Sequence, residues 1–303
     1  MTTSTATATP TAPRVRAAGA EGRLTFDGVL RSEWIKLLSL RSIRWSIAII
    51  LVLSWGAAAL MGLSLSMLRD DPDLGAGMFT PENIPALLVQ AASIGSSFTV
   101  LVMGVLGVLA ITSEYASGLI LSSLTAVPSR TPLLAAKALV VAAISFGVGA
   151  LGTFGGGLIA AIFLGGDALD AYVKPEVLAS MVSTSLYLAL VALLALGIGF
   201  LLRSSAGAIA AVVGLVFVAP ILFQVLTLTG WDWVDRVADW LPSDLGTTLA
   251  LEPVSANVSN LASEGLAVEP EGVGYWAALG GLVAWAAAAL VPAAILFRKR
   301  DAV

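Results

Sequence analysis

Long apolar runs alternate with short polar stretches along this chain, and that alternation is its strongest signal. Uncharged runs cover roughly residues 46–68, 86–112, 138–164, 178–202, 205–229 and 274–297. Each is long enough for a tilted helix to cross the ~30 Å of bilayer hydrocarbon. The pattern predicts six transmembrane helices. Pro220 and Pro292 fall inside the last two and should kink them, because proline lacks a backbone donor and its ring crowds the preceding turn. The third run carries Gly147, Gly149, Gly152, Gly155, Gly156 and Gly157, with Gly152 and Gly156 in GxxxG spacing. Small residues at that spacing let helix backbones approach closely. A flexible hinge lining a substrate path is the other reading.

Ahead of the first run the pattern changes. Residues 1–26 are rich in Thr, Ala and Pro, lack the apolar core of a signal peptide, and read as a disordered cytoplasmic tail. Residues 27–303 then read as one transmembrane domain. From Asp27, which can cap a helix start, Leu30, Trp34, Leu37 and Leu38 or Leu40 recur at helical spacing. Arg31, Lys36, Arg41 and Arg44 supply cationic heads beside them. A helix of this kind suits the surface of an anionic inner leaflet, with its long basic side chains reaching to the headgroups. A cytoplasmic extension of the first span is the alternative.

Composition agrees with a membrane setting. Only 12% of residues are charged and the mean hydropathy is +0.94, against about 25% charged residues in a soluble domain. The net charge of −4 says less than its distribution. The N-terminal region, 113–137, 203–204 and the stretch from 298 hold 13 Lys/Arg against 5 Asp/Glu. The opposite set, 69–85, 165–177 and 230–273, holds 3 against 15. Basic loops stay on the cytoplasmic side, so both termini are expected there.

Two interruptions are long enough for structure of their own. In 230–273, Trp233, Val234, Val237, Trp240 and Leu241 share a helical stripe and predict a short outer interfacial helix stopped at Pro242. Such a helix would serve as an anchor or as an external gate. The second is 114–137, between spans two and three. Gly118 punctuates it, 119–124 reads as a short apolar helix, and Pro128 and Pro132 follow before Lys137. A simple basic loop would account for its charges. Its length exceeds what a turn requires, which favours a cytoplasmic helix that couples a soluble partner to both spans.

The candidate chemistry is sparse. There is no Cys and no His, which removes disulfides, thiolate or imidazole ligands and imidazole acid–base catalysis. The spans hold Gln90, Gln224 and scattered Ser and Thr but no charged group. Ion-coupled transporters place charges there, and an intramembrane hydrolase needs a positioned base. No GxxxxGK[ST] occurs, so this chain is expected to hydrolyse no ATP and to bind no cofactor itself. Nothing points to nucleic acid. Transport, if present, would draw on a second polypeptide.

Two stretches carry a resemblance to the permease subunits of ABC-2 type ABC exporters of high-GC bacteria. SEWIKLLSLRSIRW is similar to the family's stretch before the first span, here Glu33, Lys36, Ser39, Arg41 and Ser42, with Trp34 and Arg44 beside them. EYASGLILSSLTAVPSRTPLLAAK is similar to its loop after the second span, here Glu114, Tyr115, Gly118, Leu124, Pro128, Arg130 and Lys137. ADWLPSDLG, with Trp240 and Pro242, resembles a looser signature before the last span, close to Trp233 and Val237. Leu119 and Ile120 depart from the pattern, since relatives often carry threonine and a polar residue there. The resemblance covers about residues 27–300. It implies an all-α plasma-membrane protein with an N-terminal interfacial helix, a coupling helix and an outer helix. It further implies a homodimer or heterodimer of permeases working with separate ATPase subunits that bind ATP and magnesium. The expected function is export of an apolar or amphipathic substrate. A non-transporting scaffold, or a facilitator or channel, is the alternative.

Overall fold

The computed structural model describes residues 25–70, 78–119, 130–255, 258–259 and 273–299. All regular structure among them is helical. Six helical spans are long and apolar enough to cross a membrane: Arg41–Arg69, Ile84–Ser117, Thr131–Leu164, Pro175–Leu202, Ser205–Thr227 and Tyr275–Arg298. Each overlaps one predicted run. The first four extend further into polar sequence at one or both ends, because a helix continues until a breaker or a cap stops it.

Helix α1, Phe26–Ser39, precedes the first span as a separate element. Thr25, not Asp27, is its cap: the Thr25 hydroxyl accepts from the Gly28 N–H at 3.3 Å, and Asp27 sits in the first turn. Residues 25 and 26 thus belong to the helix start rather than to a tail. Leu40 adopts an extended conformation (φ −69°, ψ 123°) and separates α1 from α2, Arg41–Arg69. That elbow excludes a continuous extension of span one. The stripe expected to face lipid is only partly right. Val29, Glu33 and Leu37 are buried against the bundle, while Trp34 and Ile35 stay exposed.

Span two consists of α3, Ile84–Ser93, and α4, Ser96–Ser117, broken at Ile94 and Gly95. The break lies against α2. A Cβ on Gly95 would fall 2.7 Å from the Ser54 Cα, and the Ser54 and Thr99 hydroxyls bond at 2.9 Å just beyond it. Span three is α5, Arg130–Leu164, and the short α6, Ala168–Tyr172, follows. Gly152 and Gly156 of α5 pack on Ser54 and Ala58 of α2, where added Cβ atoms would lie 3.0 Å and 3.1 Å away. Close packing is therefore the meaning of the GxxxG pair.

Span four, α7 (Pro175–Leu202), is the central post and packs against α4, α5 and the last span. Span five comprises α8, Ser205–Val213, a π-helical turn at Gly214–Val218, and α9, Ala219–Thr227. The helix leaves α geometry just ahead of the proline that the sequence marked. Pro220 cannot donate and would crowd the Val216 carbonyl, and the π turn opens the helix at that point. Pro292 lies within the last span, the unbroken helix α12, Tyr275–Lys299.

The stretch between spans five and six departs most from expectation. It forms α10, Asp232–Ala238, and then α11, Pro242–Leu251. Pro242 opens the second helix instead of ending the first, since proline's fixed φ and missing donor suit a first-turn position. Val234 and Leu241 are buried, whereas Trp233, Val237 and Trp240 remain about half exposed. Helix α11 buries Leu245, Gly246 and Leu249 against α7 and α12. The Trp285 indole N–H donates to the Trp240 carbonyl at 2.8 Å and fastens the junction to α12.

Candidate functional site

The charged residues that the sequence spreads over two stretches meet in one buried cluster. Glu33 sits midway along the inward face of α1, between Val29 and Leu37. The ammonium of Lys137, which lies about two turns into α5 just before the apolar run, reaches Glu33 Oε2 at 2.5 Å and Glu114 Oε1 at 2.8 Å. Lys36 closes the set with Glu33 Oε1 at 2.6 Å and Glu114 Oε1 at 3.0 Å. The Ala110 carbonyl, at 3.4 Å, takes the third Lys137 donor position. Glu33 and Lys137 are 1% exposed and Glu114 3%. Two acids and two bases leave the cluster neutral.

Neutrality is what makes this burial tolerable. An isolated charge in such a place would lose hydration worth several kcal/mol, and only close partners with good geometry offset that loss. Burial pushes the Glu33 carboxyl up, but the Lys137 ammonium and then Lys36 outweigh it and hold the group below the ordinary carboxylate range. For Lys36, burial pulls the ammonium down, and its bonds to Glu33 and Glu114 win, holding it above the usual lysine range. Both stay ionised across neutral pH. Glu114 Oε2 is buried with no hydrogen-bond partner among the described residues. With each carboxylate held by ammonium groups and shut from solvent, the cluster is a clamp between helices rather than a reactive centre.

Neighbouring residues extend the clamp sideways. The Tyr115 ring lies under the Arg203 guanidinium at 5.3 Å and meets Phe200 edge-on at 6.4 Å. Phe200 in turn meets Phe297 at 5.3 Å. Glu114 therefore points to α1 and α5, and Tyr115 to the end of span four and the turn after it, where Phe200 links on to the end of α12. Arg298 Nε donates to Thr131 Oγ1 at 2.9 Å at the same end. Gly118 ends α4 with φ 72°, a left-handed conformation that glycine adopts without steric cost.

Two expectations about the 114–137 stretch need correction. Glu114 and Lys137 are not surface residues at the head and tail of a loop; they are helical, buried and paired to α1. The connection is also shorter, because α4 runs to Ser117 and α5 starts at Arg130. Pro132 falls in the first turn of α5, where no donor is needed. Leu124, Pro128 and most of the 119–124 helix lie outside the described residues. Trp34, Arg41 and Arg44 are exposed and take no part in the cluster. Trp233, Val237, Trp240 and Pro242 belong to the opposite end of the bundle.

A cleft of about 400 Å³ is the second feature, and sequence reasoning missed it. Gln90, Ser93, Ser96 and Ser97 from the broken span two face Phe217 and Pro220 of span five, with Tyr187 and Thr247 closing it. No charged side chain lines it. The cluster Gln90, Ser93, Ser96 and Ser97 around Gly95 was the readable signal, since polar residues beside a glycine in an apolar run mark a helix break. Among the described residues, no group of acidic side chains could hold a metal ion. No known protein-family model matches the chain, and no curated protein matches it significantly.

Proposed function

We propose that this chain is the permease subunit of an ATP-driven exporter, powered by a separate ABC-type ATPase. The observation that carries the reading is the Glu33–Lys36–Glu114–Lys137 cluster. It joins α1 to the two helices that flank residues 118–129, so a push on that connection moves α1, span two and span three as one body. Tyr115 passes the same displacement to Arg203 and Phe200. A partner's nucleotide-driven closure would act there, and rigid-body movement of the spans would open the pathway. The uncharged cleft supports an apolar or amphipathic substrate. The exposed span five, whose α9 buries no residue, supports pairing with a second permease.

The test is purification of the tagged protein in mild detergent with mass spectrometry of what co-elutes. A near-stoichiometric P-loop ATPase is expected, lost in Leu119→Arg or Arg130→Glu, which alter the connection and keep Glu33, Lys36, Glu114 and Lys137. A clean oligomer with no ATPase would overturn the proposal in favour of a scaffold or channel.

A further inference from the structure

The cations around the elbow are unequally used. Lys36 is committed to the buried cluster, whereas Arg41 and Arg44 are exposed and have no carboxylate in ion-pair range among the described residues. With Trp45 they line a shallow pocket of about 460 Å³ at the start of α2. Positions 41, 44 and 45 share one helix face, so two guanidiniums and an indole converge on the same space. Below them on that face lie Ala48, Ile49, Val52 and Gly56, all exposed, with Val52 70% accessible. Ala48 and Gly56 are small, and a Cβ on Gly56 would meet nothing within 4 Å, so this apolar strip is open along its length.

The chemistry of this face names its complement. Paired guanidiniums match the oxygens of a phosphodiester, and an indole sits well at headgroup depth. The exposed apolar strip directly beneath suits a hydrocarbon chain attached to that phosphate. A free anion would leave the strip unused. A zwitterionic headgroup would bring a cation against the arginine pair. We propose that Arg41, Arg44 and Trp45 bind the headgroup of an anionic phospholipid, with one acyl chain lying along residues 48–56. The site is discrete, with one lipid per chain, and adjoins the Leu40 elbow on the side away from the bundle, since Ile43 and Ile50 face inward.

Native mass spectrometry of the full-length protein in mild detergent tests this, with phosphatidylglycerol or phosphatidylcholine of identical chains titrated in. A saturable adduct of one phosphatidylglycerol per chain is expected, and none with phosphatidylcholine. Arg41→Gln/Arg44→Gln should weaken retention by about thirty-fold, from the ordinary surface contribution of two arginines. Equal retention in that variant, or equal retention of phosphatidylcholine, overturns the proposal. Displacement by millimolar inorganic phosphate reassigns the pocket to a soluble anion, and an adduct seen only when dimers dissociate assigns the face to a second copy; either result also overturns it. Should the double variant fail to fold, the wild-type preference between the two lipids decides the matter alone.

Discussion

At the scale of single residues, Lys137 is the side chain on which most depends. It satisfies Glu33, Glu114 and a backbone carbonyl at once. Lys137→Met should destabilise the protein by about 3–5 kcal/mol, because it strands two buried carboxylates on Lys36 alone. Pairing it with Glu33→Leu should recover much of that loss, and thermal unfolding of both variants in one detergent checks the coupling. Additive losses would show that the two groups do not interact. Acidity should act through the same contact. Glu33 has a lowered folded pKa, so its stabilisation is present above about pH 4.5 and disappears as pH falls through the folded value. Lys36 behaves oppositely, and its share is lost only as pH climbs beyond about 10.5. The unfolding midpoint of the wild type should fall in acid more steeply than that of Glu33→Gln. None of this pairing was visible in local pattern, because Glu33 and Lys137 lie 104 positions apart. One clue was present: an acid on a helix face otherwise formed by Val29 and Leu37.

At the scale of elements, apolar run length made the six spans legible, and glycine spacing indicated how one of them packs. Gly156→Leu should wedge α5 from α2 and cost about 1–3 kcal/mol or more, as overpacking does. Gly147→Ala, where an added Cβ meets nothing within 4 Å, should be neutral or slightly stabilising. Thermal midpoints of the two variants separate packing from mere glycine loss, since equal shifts would sink the packing account. What stayed illegible were breaks made by tertiary contact. Leu40 is extended without any proline or glycine, because α1 is held to α5 by its ion pairs while α2 follows its own course along the bundle. Likewise α11 reads locally as a polar-tinged loop, and tertiary contacts, chiefly with α7 and α12, bury it.

At the scale of the whole molecule, the described contacts gather α1, Gly118, Arg203 and Arg298 at one end and α10 at the other. The chain contains no cysteine, so any thiol introduced is the sole one. Leu119→Cys and Ser204→Cys should be protected from a membrane-impermeant maleimide in intact cells, and Thr229→Cys should be labelled. The reverse pattern would invert the orientation that the basic loops indicate. The same experiment would show whether α1 lies inside, as the charge distribution along the sequence leads one to expect.

The reach of the Glu33–Lys137 contact also sets an order of events during synthesis. When α1 leaves the ribosome, neither Glu114 nor Lys137 has yet been made, so its acid and its lysine have only each other. The helix can seat only after span three has been inserted and Lys137 delivered. Closure of the first helix is thus a late checkpoint of assembly, and a chain halted before span three should leave α1 open to proteolysis.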